Sequence, residues 1–378
     1  MKNKTVTIIG GGIAGLTTAI ALQKIGINAH VYEASEQIRP VGAGLGIGPN
    51  ALKAYKAIGL EDEVIQAGKA IPGFAILDEK GKTITHSRFD DEAKPSNLAI
   101  HRASLHAVLL SKLPPGNIHI GKKLKDLHQT SSEIHLTFED GSVLETNYLI
   151  VADGIHSWAR QKLLPNSKPR YAGYTCWRAV IDYQGAEIDG PTETWGKNGR
   201  FGIVPLPENK VYWFACVNAG FSDDKFKNYG APDLLEQFRN YHSPIPEILR
   251  QTKSENLIQN DIIDIKPIDQ YAFGRLVLIG DAAHATTPNM GQGACQAIED
   301  AVTLGNCMRD ESDFELAFRN FEKLRLKRTH WVTETSWQIG KIAQLENEML
   351  IRLRNTGFRL MPDSLGKRQL NILENVTF

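Results

Sequence analysis

Thr5-Val6-Thr7-Ile8-Ile9-Gly10-Gly11-Gly12-Ile13-Ala14-Gly15 stands near the start of the chain and decides its fold. A short run of β-branched residues, a glycine-rich turn and apolar residues at helical spacing predict a strand, a tight turn and a helix. The strand pattern returns at Ala29-His30-Val31-Tyr32-Glu33. Residues 1–35 are therefore predicted to form a βαβ unit.

The glycines of this stretch have the GxGxxG spacing at Gly10, Gly12 and Gly15, and Glu33 ends the next strand. Glycines let the backbone approach a pyrophosphate, while the helix N-terminus offers unpaired N–H groups. Glu33 can accept hydrogen bonds from ribose hydroxyls. A tight turn without a ligand is the alternative, and the motif alone does not separate FAD from NAD.

Two further motifs follow apolar runs that are predicted to be buried strands. Asp153-Gly154 comes after Leu149–Ala152, and Gly280-Asp281 comes after Leu276–Ile279. Downstream lies Pro288-Asn289-Met290-Gly291-Gln292-Gly293, where a helix N-terminus could stabilise negative charge on a reduced flavin. An Asp-Gly pair by itself is more often an ordinary turn. Three such motifs in this order, each at the end of a strand, indicate FAD.

The composition is that of a globular protein without a charged binding surface. Lys+Arg and Asp+Glu both number 43 in 378 residues, which gives no support for nucleic-acid or membrane-surface binding. The cysteines, at 176, 216, 295 and 307, form no CxxC or metal-like cluster, so we expect reduced thiols and no metal site. No signal peptide and no stretch approaching the ~20 apolar residues of a membrane span is evident. We expect a cytoplasmic protein without stable membrane insertion.

The order of patterns predicts an α/β fold, in which a Rossmann-like FAD-binding domain is interleaved with a smaller substrate domain built on a mostly antiparallel sheet. The FAD-binding domain is predicted at 1–72, 98–170 and 269–312, the substrate domain at 73–97 and 171–268, and C-terminal helices at 313–378. Residues 36–50 are expected to be a glycine-rich loop. Residues 134–152 are expected to form two strands. The basic stretch Lys323–Arg328 is interpreted as a solvated helix face.

Together the three motifs resemble the class A FAD-dependent aromatic hydroxylases and monooxygenases, the para-hydroxybenzoate hydroxylase-like family. The similarity spans nearly the whole chain and lies near bacterial FAD-dependent urate hydroxylase-like proteins. In that family FAD is bound non-covalently, NAD(P)H reduces it, and a flavin C4a-hydroperoxide formed with O2 transfers one oxygen atom. The resemblance implies an NAD(P)H-dependent monooxygenase acting on a small aromatic or heteroaromatic substrate. It leaves the oligomeric state open.

The resemblance also implies contacts to FAD, position by position. The ADP half would be held by Gly12, Gly15, Glu33 and Ala34, with the backbone of Leu124 near adenine. Arg102 and Asp153 would lie near the pyrophosphate, Asp281 at the ribitol, and Gly46, Gly291, Gln292, Gly293 and Ala294 at the isoalloxazine. A surface arginine is an equally open interpretation of Arg102. No second GxGxxG follows a strand, so a dedicated nicotinamide domain is not evident.

On the substrate side, residues 200–214 predict a hairpin with its turn near Glu208. The alternation then places Arg200 and Tyr212 on one face with Val204 and Phe214. Arg200 and Tyr212 are the catalytic candidates, since they could orient an anionic or phenolate-like substrate and resemble positions in urate hydroxylases. A solvated strand end and core packing are the respective alternatives.

Asn289 departs from the urate hydroxylases, which have an acidic residue after Thr-Thr-Pro. A neutral amide cannot act as the same general base, which puts urate as the substrate in doubt. His284 is expected to be structural rather than catalytic. Other functions left open are a tetracycline-inactivating monooxygenase, a flavin-dependent reductase and a nucleotide-binding regulatory protein. A halogenase is disfavoured because the WxWxIP signature is absent.

Overall fold

A computed structural model describes residues 5–37, 43–89, 94–362 and 372–378. Val41 and Gly42 of the predicted glycine-rich loop lie outside these residues. The strands are β1 Val6–Ile9, β2 Ala29–Tyr32, β3 Gly44–Ile47, β4 Lys69–Ala70, β5 Gly73–Asp78, β6 Thr83–Arg88, β7 Leu98–His101, β8 Ile118–His119, β9 Leu124–Gln129, β10 Ile134–Phe138, β11 Val143–Thr146, β12 Tyr148–Val151, β13 Pro169–Asp182, β14 Thr192–Gly196, β15 Gly199–Pro205, β16 Lys210–Asn218, β17 Ile258–Ile265, β18 Ala272–Phe273 and β19 Leu276–Leu278. The helices are α1 Ile13–Lys24, α2 Pro49–Ile58, α3 Glu61–Ala67, α4 Arg102–Leu110, α5 Trp158–Leu163, α6 Ala231–Gln237, α7 Ile245–Gln251, α8 Asp281–His284, α9 Gly293–Asp310, α10 Phe314–Ala343 and α11 Glu348–Arg359.

A six-stranded sheet in the order β18-β19-β12-β1-β2-β8 forms the first layer of the molecule, and all its pairs are parallel except β18 with β19. Neighbouring β1, β12 and β19 are apolar and buried, and they share one core with helix α1 and with the antiparallel strands β9–β11. Each of these three strands is followed by one of the glycine motifs. The predicted α/β, Rossmann-like fold is confirmed.

A second sheet of seven strands runs in the order β17-β13-β16-β15-β14-β5-β6, antiparallel except for β14 with β5. Its β15–β16 hairpin turns at Glu208 and Asn209, whose φ angles of 60° and 55° match the twist of a two-residue turn. One face packs Trp177, Phe201 and Trp213 against α6 and α7. The other face carries the even-numbered residues of β15 and β16.

Local details differ from the sequence expectations in two places. Residues 134–152 form three strands rather than two, because Asn147 bonds Thr5 and moves the chain from β11, in an antiparallel sheet, to β12 in the parallel one. Part of the expected loop at 36–50 is strand β3, paired with β7. In the described part of the C-terminal region the chain forms helices α10 and α11. The domain boundaries stay a prediction.

The long helix α10 has 30 residues and so spans about 45 Å. Phe314, Phe318 and Phe321 near its start belong to the core of the parallel sheet. Just after its end, Gln344 bonds residues of the seven-stranded sheet. None of the helices in the described ranges has the length and hydropathy needed to cross a membrane.

Candidate active site

The three glycine motifs meet at the carboxyl edge of the parallel sheet. A Cβ on Gly10 would lie 2.2 Å from the carbonyl oxygen of Ala152, so the first motif is in contact with the chain entering Asp153-Gly154. A Cβ on Gly280 would lie 2.9 Å from the Cβ of Ala14, so the third motif packs on α1. This edge is where nucleotides bind in open α/β sheets.

The glycines of the first motif have different roles: two are required by the backbone and one faces open space. Gly10 has φ +107°, and a Cβ on Gly15 would lie 1.9 Å from the Gly10 carbonyl oxygen, so these two allow the tight turn and the close helix packing. A Cβ on Gly12 meets nothing within 4 Å, so its backbone is open to a ligand. Helix α1 has no side-chain cap and no acidic residue in its first turn. Its N-terminus thus fits a pyrophosphate.

Glu33 lies beside the glycine turn of the first motif. Its carboxylate accepts hydrogen bonds from the N–H groups of Gly11, at 2.6 Å, and Ser35, at 2.8 Å. These bonds hold the carboxylate against the glycine turn, and Ala34 lies between Glu33 and Ser35 in the chain. The neighbouring backbone runs from Lys122, whose N–H donates to the Glu33 carbonyl at 2.8 Å, to Leu124. The Leu124 side chain is buried in the main core, so only its backbone is left for a ligand.

Arg102 begins α4, where a cation opposes the helix dipole unless an anion is close. It is exposed, and its charge acts on Asp281. The Asp281 side chain is exposed to solvent, although many protein atoms surround its carboxyl group. This crowding raises the pKa of its carboxyl, while the charges of His284 and Arg102 act to lower it. The two groups therefore lie close enough for the charge of Arg102 to act on the Asp281 carboxyl.

Asp153 is a second test of whether the residues fit FAD. Burial raises the pKa of its carboxyl, which a hydrogen bond with Ser157 partly offsets. Its Oδ1 atom is buried and has no hydrogen-bond partner in the part of the chain that the structure describes. Buried polar atoms normally have a partner, so this atom is consistent with a bound polar group.

Arg160 is a central residue that the sequence analysis missed. Its fully buried guanidinium donates to the carbonyl oxygens of Ile155 at 2.6 Å, Ala282 at 3.1 Å and Ser167 at 3.2 Å. It therefore ties the Asp153-Gly154 loop to the start of α8. An arginine on a short helix carries no sequence signal of burial. His106 was also missed, and its Nε2 lies 2.7 Å from the Gly11 carbonyl oxygen.

Two backbone segments expected near the isoalloxazine are open to a ligand. A Cβ on Gly46 or on Gly291, which has φ +63°, meets nothing within 4 Å. Gln292 is buried, and its Oε1 accepts from Asn50 Nδ2 at 2.9 Å, which joins the start of α9 to α2. Helix α9 has neither a side-chain cap nor a first-turn acid. The start of α9, at Gly291, Gln292, Gly293 and Ala294, is thus an uncapped helix N-terminus, and Cys295 just behind it lies with its Sγ 3.6 Å from the Gly46 carbonyl oxygen.

Behind this helix start lies a buried ionic network between α9 and α10. Asp300 bonds His284 Nε2 at 2.5 Å and Arg325 Nε at 2.6 Å, while Glu299 pairs with Arg325 and Arg328. Arg325 is 2% exposed, so the interpretation of Lys323–Arg328 as a solvated face is wrong for this residue. The burial of these charged side chains is tolerated because both carboxylates are paired with basic side chains. His284 is structural here, as expected.

The hairpin brings Arg200 and Tyr212 to the same sheet face, in register Val204 with Tyr212 and Gly202 with Phe214. A Cβ on Gly44 would lie 2.6 Å from Tyr212 Cδ1, so the phenol ring packs on strand β3, two residues from Gly46. Tyr212 therefore lies where the seven-stranded sheet meets the small sheet of β3, β7 and β4. Burial raises the pKa of Tyr212, so its hydroxyl stays protonated.

Arg200 is 2% exposed and already has partners. Its Nη1 lies 3.1 Å from Glu193 Oε1, and its Nε donates to Gln344 Oε1 at 2.8 Å. The guanidinium also lies over the ring of Tyr174, 5.1 Å from the centroid. The positive charge of Arg200 is thus balanced within the protein, and it is not a solvated strand end.

Asn289 is joined to this arginine through Tyr174. The Tyr174 hydroxyl donates to Asn289 Oδ1 at 3.1 Å, and Asn289 Nδ2 donates to Thr287 Oγ1 and the Ser336 carbonyl, both at 2.9 Å. A Cβ on Gly340 would lie 2.5 Å from Asn289 Nδ2, so α10 leaves space for the amide. A hydrogen-bonded chain of neutral groups therefore links the segment before α9 to the substrate sheet.

The arrangement of motifs agrees with sequence comparison. A family model described as FAD binding domain matches residues 3–310. The chain belongs to this FAD-binding family. The matched region contains all three glycine motifs as well as the hairpin with Arg200 and Tyr212.

Three relatives define the chemistry. The aurachin C monooxygenase/isomerase of Stigmatella aurantiaca is 37% identical, with 94% of each chain covered. The 2-heptyl-3-hydroxy-4(1H)-quinolone synthase of Pseudomonas aeruginosa is 30% identical, with 96% of each chain covered. Klebsiella pneumoniae HpxO, solved with FAD and uric acid, has a TM-score of 0.87 at 27% identity, covering 99% of this chain and 96% of HpxO.

The protein is accordingly an FAD-dependent monooxygenase of the class A flavin hydroxylases, with NAD(P)H as its co-substrate and an aromatic or heteroaromatic substrate. FAD, when bound, supplies the activation of O2. The tetracycline alternative has weaker support, because tetracycline destructases are only 17% and 18% identical, which shows the shared fold alone. The contacts of individual residues with FAD and substrate stay predictions.

One cluster of possible metal ligands occurs in the described ranges. Glu133, just before β10, His135 of β10 and Glu145 of β11 place their ligand atoms within 4.8 Å of one another. The group is partly exposed, and exposed acidic groups often gather without an ion. It gives no reason to revise the expectation that the protein uses no metal.

Proposed function

We propose that this enzyme hydroxylates a neutral heteroaromatic ring of the 4(1H)-quinolone class, with O2 and NAD(P)H. The observation that carries this proposal is the neutral chain from Asn289 through Tyr174 to Arg200, whose charge Glu193 balances. Arg200 therefore has no unpaired charge for an anionic substrate, and Asn289 is no general base. The name of the Pseudomonas aeruginosa relative, a 3-hydroxy-4(1H)-quinolone synthase, supports the same ring class.

Tyr212 is the proposed substrate contact. Its ring packs on Gly44, in the same strand as Gly46, so the side chain lies next to the strand proposed to approach the flavin. Because burial raises its pKa, the phenol acts as a hydrogen-bond donor and not as a base. A ring carbonyl, as in a quinolone, is the matching acceptor.

Arg200, the other catalytic candidate, is proposed to be a positioning residue. Its guanidinium makes a cation–π contact with the ring of Tyr174, and the Tyr174 hydroxyl donates a hydrogen bond to Asn289. Through Gln344 it also connects the sheet to the end of α10. Its proposed effect on catalysis therefore passes through the shape of the pocket.

The residues expected at the cofactor keep their proposed roles. The backbone of Gly12 and Gly15 and the side chain of Glu33, followed by Ala34, would hold the ADP half, with the Leu124 backbone near adenine. Arg102 and Asp153 would face the pyrophosphate and Asp281 the ribitol. Gly46 would approach one side of the isoalloxazine, and Gly291, Gln292, Gly293 and Ala294 the other.

The test is NADH and NADPH oxidation by the FAD-loaded protein with a 4(1H)-quinolone that carries a 2-heptyl chain, with urate and a tetracycline as comparisons. We expect the quinolone to accelerate oxidation and its product to gain one oxygen atom, derived from labelled O2. Acceleration by urate alone would overturn the substrate proposal. A product that gains hydrogen but no oxygen would instead indicate a reductase.

A further inference from the structure

Two cysteines face each other on the substrate side of the seven-stranded sheet. Cys176 of β13 is paired with Cys216 of β16, and both are free thiols, 4% and 1% exposed. They lie on the same face as Arg200, which is the cross-strand partner of Cys216. The FAD motifs and the proposed substrate contact use neither thiol.

The ladder fixes how close the two backbones come. The Ala219 N–H donates to the Gly173 carbonyl at 3.2 Å, so this opposed pair is hydrogen-bonded. Hydrogen-bonded and non-hydrogen-bonded pairs alternate along antiparallel strands, which places Cys176 and Cys216, three steps along, in a non-hydrogen-bonded pair. In such pairs the Cα atoms are about 4.5 Å apart, within the range of about 4.4–6.8 Å that a disulfide spans.

The two thiols differ in reactivity. A hydrogen bond with Cys216 lowers the pKa of Cys176 against the effect of burial, and the charges of Arg178 and Arg200 lower it further. The same hydrogen bond and burial raise the pKa of Cys216. Cys176 is thus the better nucleophile, and Cys216 keeps its proton. By contrast, burial raises the pKa of Cys307 to about 11.

We propose that Cys176 and Cys216 are a redox pair that hydrogen peroxide closes into a disulfide across β13 and β16. The Cys176 thiolate attacks one peroxide oxygen, the O–O bond breaks, and the departing hydroxide takes up a proton to leave as water. The Cys216 thiol then attacks the resulting sulfenic acid sulfur, the S–O bond breaks, and a second water carries the thiol proton away. The two thiols lose two electrons, which reduce one peroxide to two waters.

This pair differs from the lone cysteines in having a resolving partner within reach. A sulfenic acid next to a second thiol condenses faster than it is oxidised further. A disulfide between directly opposed strands is also strained, and strained disulfides are readily reduced. The proposal therefore predicts a reversible product.

The experiment treats the FAD-loaded protein with a small excess of hydrogen peroxide, quenches it, and measures free thiols in denaturant and the intact mass. We expect free thiols to fall from the four of the sequence to about two, with a mass loss of about 2 Da and a peptide that joins residues 176 and 216. Dithiothreitol should restore all the thiols. Unchanged thiols, or a disulfide that joins other cysteines, would overturn the proposal.

Two variants sharpen the result. In Cys216→Ser the attacking thiol loses its partner, so we expect a mass gain of about 32 Da at Cys176, as a sulfinic acid, in place of the disulfide. The matched control Cys307→Ser removes a buried thiol of α9 and should still form the 176–216 bridge. If Cys216→Ser resists peroxide as well, Cys176 is not the attacking thiol and the proposal fails.

Discussion

At the scale of single residues, Arg200 and Tyr212 share a sheet face but not a role. Arg200 is enclosed by Glu193, Gln344 and Tyr174, whereas Tyr212 packs on Gly44 at the junction with the cofactor side. The alternation of side chains along the strands puts both residues on one face, but their neighbours on adjacent strands decide which polar group stays available to a substrate. Mutations at the two positions should therefore have different kinetic signatures.

Tyr212→Phe should lower kcat/KM for the substrate about tenfold, because one hydrogen bond to the ring carbonyl is worth about 0.5–1.5 kcal/mol. FAD content, measured by flavin absorbance, should not change. Tyr183→Phe is the matched control, since Tyr183 packs on the opposite side of the sheet. If Tyr212→Phe keeps the wild-type kcat/KM, its hydroxyl does not contact the substrate.

Asp300 should make stability depend on acid pH. Burial would raise its pKa, but the charges of His284 and Arg325 outweigh burial and lower it. A carboxyl with a lowered pKa in the folded state stabilises the protein above its unfolded pKa of about 4, and this contribution is lost as pH falls through the folded value. Melting temperatures between pH 7 and 3 should therefore fall steeply in the wild type.

Asp300→Asn should melt at a lower temperature near neutral pH and should show a shallower decline on acidification. Asp310→Asn, on the same helix, is the control because Asp310 is exposed with Arg309, and exposed pairs contribute little. Its melting profile should follow the wild type. Parallel profiles for Asp300→Asn and the wild type would show that the buried network is not the titrating element.

At the scale of elements, the strand–turn–helix at the N-terminus separates folding from binding within one motif. Gly10 and Gly15 are required by the backbone, since φ at Gly10 is positive and a Cβ on Gly15 would collide with the Gly10 carbonyl. Gly12 faces open space. One motif thus contains positions that stabilise the fold and a position that is left free for the ligand.

Gly15→Ala should therefore destabilise the protein, because the added Cβ would lie 1.9 Å from backbone. Gly12→Val should keep the wild-type secondary structure but bind FAD at least tenfold more weakly, because its side chain would occupy the approach to the helix N-terminus. Circular dichroism and FAD titration distinguish the two. Tight FAD binding by Gly12→Val would contradict the proposed location of the pyrophosphate.

At the scale of the whole molecule, α10 connects the two sheets. Its start lies in the core of the parallel sheet, its middle bears Ser336 and Gly340 against Asn289, and Gln344 after its end bonds Arg200 and Asn218. A packed helix transmits position because its hydrogen bonds keep it stiff. The pocket is therefore shaped by a part of the chain that contributes no glycine motif.

Gln344→Ala should raise KM for the substrate several-fold with little effect on FAD affinity, because Arg200 loses one of its partners while the cofactor edge is untouched. Steady-state kinetics and FAD titration measure the two effects. Gln338→Ala removes an exposed glutamine of α10 and is the matched control. Equal losses of FAD and substrate affinity would indicate general destabilisation and not loss of a link.

Much of the fold was predictable because its signals are local. The β1–turn–α1 unit, the hairpin at Glu208 and the inward alternation of its strands follow from backbone preferences and a two-residue period. The expectation of FAD came from motifs that each end a strand, since parallel strands align their carboxyl ends at one edge. These features depend on neighbours in sequence.

Other features depended on segments far apart in the chain, and only the tertiary structure decided them. The sequence could not show that Arg160 and Arg325 are buried, that Asn147 divides two sheets, or that Cys176 opposes Cys216. Strand register and helix packing are set by how whole faces fit together, and a shift of one residue reverses every side chain. The sequence by itself determined the family of elements and the cofactor edge, whereas long-range packing determined which polar groups are paired, and therefore which remain free to act.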